Sequence, residues 1–101
     1  MTLTTLRILQ ALLAGDPSQE VYGLELRKAT GLAAGTVYPI LSRLESHGWV
    51  ASRWEVLDTH EGGRPPRRYY RLTTAGRESA QSALSSARAK LGALKEGVEP
   101  S

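Results

Sequence analysis

Five arginines, Arg64, Arg67, Arg68, Arg71 and Arg77, fall within fourteen consecutive residues that contain no aspartate or glutamate. Guanidinium groups stay charged at physiological pH and match phosphate oxygens with two parallel N–H donors, so this cluster suits a nucleic-acid backbone. A second polar set stands upstream. Gly35, Thr36, Tyr38, Pro39, Ser42 and Arg43 interleave with Val37, Ile40, Leu41 and Leu44. The apolar four recur at i, i+3, i+4 and i+7, the period of a helix with one buried face. Turning that face inward leaves a surface of mostly short side chains, which lets a helix backbone sit deep in a DNA major groove. Thr36 and Ser42 can bond a phosphate or a base edge, Tyr38 can donate to a phosphate, and Arg43 can pair with guanine or phosphate. Pro39, near the helix start where its missing N–H costs least, can touch a thymine methyl. The same surface also suits plain solvation, and the arginine-rich segment an edge that discourages strand addition.

Other chemistries find little support. There is no cysteine, which removes disulfides and thiolate metal sites together. His47 and His60 have no second ligand at helical spacing, and the serines concentrate near the C-terminus, far in sequence from both. No glycine-rich phosphate loop follows a strand. No catalytic residue, metal ligand or cofactor is therefore assigned, and the chain is not expected to be an enzyme. Trp49 and Trp54 are both expected in the hydrophobic core rather than in a ligand cage.

The elements that must position these residues follow from periodicity. With 101 residues the chain has room for one domain. Such a short chain buries a modest fraction of its surface, so a partner subunit is the expected support. Leu3, Leu6, Leu9 and Leu13, with Ile8 and Leu12 beside them, make a strongly apolar first helix. Gly15-Asp16-Pro17-Ser18 breaks it. A second helix is expected from about Val21 to Thr30, closed by Gly31, and the polar-faced third from 33 to 47, closed by Gly48. Two helices joined by this short turn form a helix-turn-helix.

At Trp49 the period changes to two. Trp49 to Leu57 reads as a strand with Val50, Trp54 and Val56 on one face, and Arg67 to Leu72 as a second strand in which Tyr69 and Tyr70 point to opposite faces. The glycines and prolines between them make a loop, so residues 58–67 form a basic wing with Arg64 near its tip and Arg67 and Arg68 on its return. Thr73 or Thr74 caps a last helix. There Ala80, Leu84, Ala87, Leu91 and Leu94 alternate spacings of four and three, an interface seam. That seam either folds back on its own domain or, with Leu3 and Leu6, forms a homodimer interface.

The expected fold is therefore α+β, mostly α: a winged helix-turn-helix with a two-stranded wing (residues 1–76) and a C-terminal dimerisation helix with a short tail (77–101). Neither a membrane span nor a secretory leader is legible, which implies a cytoplasmic, nucleoid-associated protein. The alternative is a winged-helix protein-interaction module without DNA binding.

The combined pattern Thr36-Val37-Tyr38-Pro39-Ile40-Leu41-Ser42-Arg43-Leu44-Glu45, Gly48-Trp49-Val50, Trp54-Glu55 and Gly63-Arg64-Pro65-Pro66-Arg67-Arg68-Tyr69-Tyr70-Arg71-Leu72-Thr73 with Gly76 resembles the bacterial PadR family of transcriptional regulators. Tyr22-Gly23 matches the start of that family's second helix. The resemblance implies a dimer formed through the terminal helices and an inverted-repeat (palindromic) double-stranded DNA operator, usually repressed. It also implies that Tyr22, Thr36, Tyr38, Pro39 and Arg43 lie on DNA, with Arg64 and its neighbours in the wing. Recognition helices about one turn apart, ~34 Å, would suit such a site. The single last helix places the chain in the short branch. Some short members stack flat aromatic ligands on an aromatic of that helix. No aromatic follows Tyr70 here, and any small-molecule effector is unknown.

Overall fold

The computed structural model describes residues 1–16, 18–56 and 63–98, with side chains through residue 92. Its elements are helix α1 (Leu3–Leu13), strand β1 (Val21–Tyr22), helices α2 (Gly23–Thr30) and α3 (Ala34–Ser46), strands β2 (Val50–Trp54) and β3 (Arg68–Leu72), and helix α4 (Thr74–Val98). Of the wing expected at 58–67, residues 58–62, with His60, lie outside the described residues, as does the side chain of Leu94.

Thr2 caps α1 by accepting a hydrogen bond from the Thr5 N–H at 3.2 Å. Ile8, Leu9 and Leu12 of that helix join Leu26 of α2 and Val37, Ile40, Leu41 and Leu44 of α3 in one core. The apolar stripe of α3 is thus buried as its period requires. Gly31 ends α2 at φ +72°, a left-handed conformation that a Cβ would penalise. Pro39 is the sixth residue of α3 rather than one of its first-turn residues. Its missing N–H therefore falls where the ladder would normally draw on it, and the carbonyl of Gly35 receives no bond from it.

Two features depart from the sequence expectation. Val21 and Tyr22 do not begin α2. They pair antiparallel with β3, Val21 opposite Tyr70 and Tyr22 opposite Tyr69. The sheet is therefore three-stranded, in the order β1-β3-β2. Two residues are too few to show a period, and their partner strand lies far along the chain. The second departure is Trp54, which is 58% exposed. It pairs with Arg68 at the far end of β2, where the hairpin has outrun the helices that cover Val50 and Leu72. Val56, beyond it, is open to solvent as well. Trp49 packs against the core as expected.

The start of α4 is locked to the turn before β2. Thr73 Oγ1 donates to the Gly48 carbonyl at 2.7 Å and accepts from the Gly76 N–H at 2.9 Å. Gly76 lies so close to Trp49 that a Cβ would sit 2.6 Å from its carbonyl carbon. Ala80, expected on the seam facing a partner, is 0% exposed and belongs to the protomer's own core. The first two turns of α4 close the domain by packing on α1 and β3, so a small residue is needed there. Leu84 and Ala87 are half-buried, while Leu91 is 65% exposed. On α1, Leu6 is half-buried and Leu3 is 67% exposed.

Candidate nucleic-acid interface

With its apolar face in the core, α3 leaves Gly35, Tyr38, Pro39, Ser42 and Arg43 exposed and Thr36 half-buried. The Tyr38 ring lies over the first residue of α2. A Cβ at Gly23 would come within 2.5 Å of Tyr38 Cε1 and 2.7 Å of Cζ. A glycine at position 23 therefore sets where the α3 tyrosine can stand. The motif residue Gly23 carried that information, but periodicity alone could not reveal it.

Opposite Tyr38 stands the base of the wing. Tyr22, Tyr38, Arg64, Arg67 and Arg68 border one cleft of about 570 Å³. Trp54, missed as a surface residue, lines it too. Ser42 and Gly35 lie outside this cleft on the exposed face of α3. Arg43 reaches a second, smaller hollow between the start of α1 and Trp49.

The arginines are less uncompensated than their linear order implies. Arg64 Nη1 donates to Glu55 Oε1 at 2.6 Å. Arg68 Nη2 donates to Glu45 Oε1 of α3 at 3.2 Å, and its Nε and Nη2 donate to Ser52 Oγ at 3.0 and 2.8 Å. Ser52 Oγ in turn donates to Glu45 Oε2. Glu55 from the C-terminal flank of β2 and Glu45 from α3 thus meet Arg64 and Arg68 in space, which a count along the chain cannot register. Among the described residues Arg43 and Arg67 have no acid at ion-pair distance. The Arg67 guanidinium lies 4.5 Å from the centre of the Tyr22 ring, a cation–π contact with strand β1.

Glu55 organises this corner. Besides Arg64, it accepts from the Tyr69 hydroxyl at 3.1 Å and from the Arg67 N–H at 3.4 Å. The Arg64 hydrogen bond, helped by those two donors, lowers its pKa from 4.5 to about 2. On the outer sheet face Tyr22 and Tyr69 meet edge to face at 6.0 Å, and Arg53 lies 5.0 Å over Tyr69. Arg53 also makes a two-pronged pair with Glu20, at 2.8 Å to each oxygen, which lowers the carboxyl pKa. Tyr70, on the inner face, is buried, and that burial raises its pKa. The outcome is a rigid cationic and aromatic frame beside a helix with a short-side-chain face, an arrangement that can grip a phosphate strand and present a helix to the groove next to it. No group of three or more metal-ligating residues gathers among the described residues. None of their helices is long and apolar enough to cross a membrane.

Comparison with known proteins places this geometry. The family described as "Transcriptional regulator PadR-like family" matches residues 8–82. A PadR family transcriptional regulator from Eggerthella lenta is 28% identical, with a TM-score of 0.75 over 99% of this chain and 84% of that one. A PadR family transcription regulator from Clostridium difficile superposes at a TM-score of 0.77 with 22% identity, covering 97% of this chain and 100% of that one. BpsR of Bordetella bronchiseptica, whose DNA binding is regulated by 6-hydroxynicotinic acid, shares the fold at a TM-score of 0.74 with 20% identity, over 99% of this chain and 69% of that one. No curated protein matches the sequence. The chain belongs to the PadR-like family, and it is a winged-helix, DNA-binding transcriptional regulator rather than an enzyme.

Proposed function

We propose that the chain represses transcription as a homodimer bound to an inverted-repeat operator, with α3 in the major groove and the 58–67 wing on the backbone or minor groove. The observation that carries this reading is the cleft shared by Tyr38 of α3 and Arg64, Arg67 and Arg68 of the wing. Two separate parts of the sequence thereby converge on one anionic strand. Gly35, Thr36, Pro39, Ser42 and Arg43 read or approach the groove, while Tyr22 and the wing arginines hold the backbone. The DNA-binding unit is residues 1–76. Residues 77–101 serve association, although the first two turns of α4 also close the core.

Dimerisation supplies the second half-site. The exposed Leu3 and Leu91, with Leu6, Leu84, Ala87 and Leu94, form the self-complementary surface. Two recognition helices about 34 Å apart then address successive turns of one face of the duplex. Such a dimer acts in the cytoplasm, on the nucleoid, and blocks polymerase by occupying the promoter. Light scattering at micromolar concentration and fluorescence anisotropy with DNA from upstream of its own coding sequence test the reading. A dimer whose affinity falls steeply with salt, and which prefers a palindromic stretch over scrambled DNA, is the expected result. A monomer indifferent to double-stranded DNA at low ionic strength overturns it.

A further inference from the structure

Trp54 stands out as an exposed large aromatic beside the DNA-facing helix. It is 58% exposed at the mouth of the cleft that Tyr38 also lines. The Arg68 guanidinium lies 5.2 Å from its ring centre, and Arg68 is itself pinned by Ser52 and Glu45. The indole is therefore held in place on one side while more than half of its surface stays open. An orientation fixed this way is unlike a tryptophan that merely covers the edge of a core.

The chemistry around it alternates. Arg64 and Arg68 are cationic, and Tyr38 and Trp54 are aromatic, within one cleft. A DNA strand alternates in the same manner between anionic phosphates and the apolar C–H faces of deoxyribose. Base faces are hidden in the stack of a duplex, so an aromatic beside the groove meets sugars first. An indole also carries one N–H, which can donate to a phosphate oxygen. We infer that Trp54 is a direct, sequence-independent DNA contact, packing on a deoxyribose of the strand that the wing arginines hold. This rests on the DNA-binding reading above and adds an apolar contact to its ionic ones.

Apolar and ionic contacts separate through salt. Loss of a phosphate contact flattens the dependence of log K on log salt by about 0.9, whereas loss of a sugar contact lowers affinity without changing the slope. The chain has two tryptophans, so Trp49→Phe leaves Trp54 as the sole indole reporter. The probe is an end-labelled, mixed-sequence duplex of about 30 base pairs at low salt, long enough for both half-sites of a dimer. Trp54 emission is expected to change in step with the anisotropy of the labelled DNA. Trp54→Ala is expected to weaken binding about tenfold, roughly 1.4 kcal/mol, at unchanged slope, and Trp54→Phe to restore part of it.

Duplex binding by anisotropy with silent Trp54 emission and full affinity in Trp54→Ala overturns the contact and leaves the DNA-binding reading standing. A slope that flattens along with the affinity also overturns it, because Trp54 would then act only by positioning Arg68. Equal or tighter binding of the corresponding single strand, with the same emission change, makes Trp54 a base-stacking platform and overturns the sugar assignment. Absence of any anisotropy change in the unaltered protein sinks the DNA reading and the inference together. Should Trp49→Phe unfold, the Trp54 variants in the native background, checked by circular dichroism, decide the matter through affinity and slope.

Discussion

Glu55 joins three donors at the root of the wing: the Arg64 guanidinium, the Tyr69 hydroxyl and the Arg67 N–H. Its folded-state pKa of about 2 lies below the ordinary 4.5. The stabilisation it contributes is therefore complete above about pH 5 and is lost as pH falls toward 2. Acid unfolding followed by circular dichroism should accordingly be less steep in that window for Glu55→Gln than for the native chain. The same carboxylate already neutralises Arg64, whereas Arg67 has no acid at ion-pair distance among the described residues. Arg67→Ala is thus expected to flatten the salt slope of DNA binding by about 0.9, and Arg64→Ala by less. Equal slopes for the two would show that Glu55 releases Arg64 fully to the DNA. None of this was legible in the arginine count, because the compensating acids lie 9 to 23 residues away along the chain. The opposite facing of Tyr69 and Tyr70 was legible, because strand alternation alone decides it.

At the level of elements, packing distances decide what helix propensity does not. Gly76 admits α4 against the Trp49 backbone, and a methyl there would overlap main chain that cannot swing aside. Gly76→Ala should cost about 1–3 kcal/mol by denaturant unfolding, despite alanine's better helix propensity. Gly92, also in α4, has nothing within 4 Å of a built Cβ. The same change there should stabilise by up to about 1 kcal/mol. Gly23→Ala would displace the Tyr38 ring. Its expected effect is a loss of DNA affinity larger than its loss of stability, measured by anisotropy and thermal melting on the same preparation. The four helices and the hairpin were readable from periods of 3.6 and two. β1 was not, since two residues carry no period and their pairing with Tyr70 and Tyr69 is a long-range choice.

For the whole molecule, the start of α1 and the Leu91 turn of α4 each leave a leucine uncovered by the protomer's own core. Leu3 and Leu91 are 67% and 65% exposed. Burying a leucine removes surface worth about 25 cal/mol per Å². The proposed pairing of these helices between two copies would bury both leucines. Leu91→Asp should shift the chain toward monomer by light scattering and weaken operator binding, while Arg67→Ala should leave the dimer intact. Melting temperature should rise with protein concentration in the native chain and lose that dependence in Leu91→Asp, because mass action stabilises only what associates.

Period and composition by themselves determined that helices lead into a basic hairpin, which α3 residues face inward, and that Thr73 or Thr74 begins the last helix. These are local properties, set by backbone geometry within a few residues. Only the tertiary structure decided that Ala80 closes the core instead of the seam, that Trp54 stands outside that core, that Val21 and Tyr22 join the sheet, and that glutamates meet the wing arginines. Each depends on which distant segments come within a few ångströms, and burial and ion pairing are set by that proximity rather than by order along the chain.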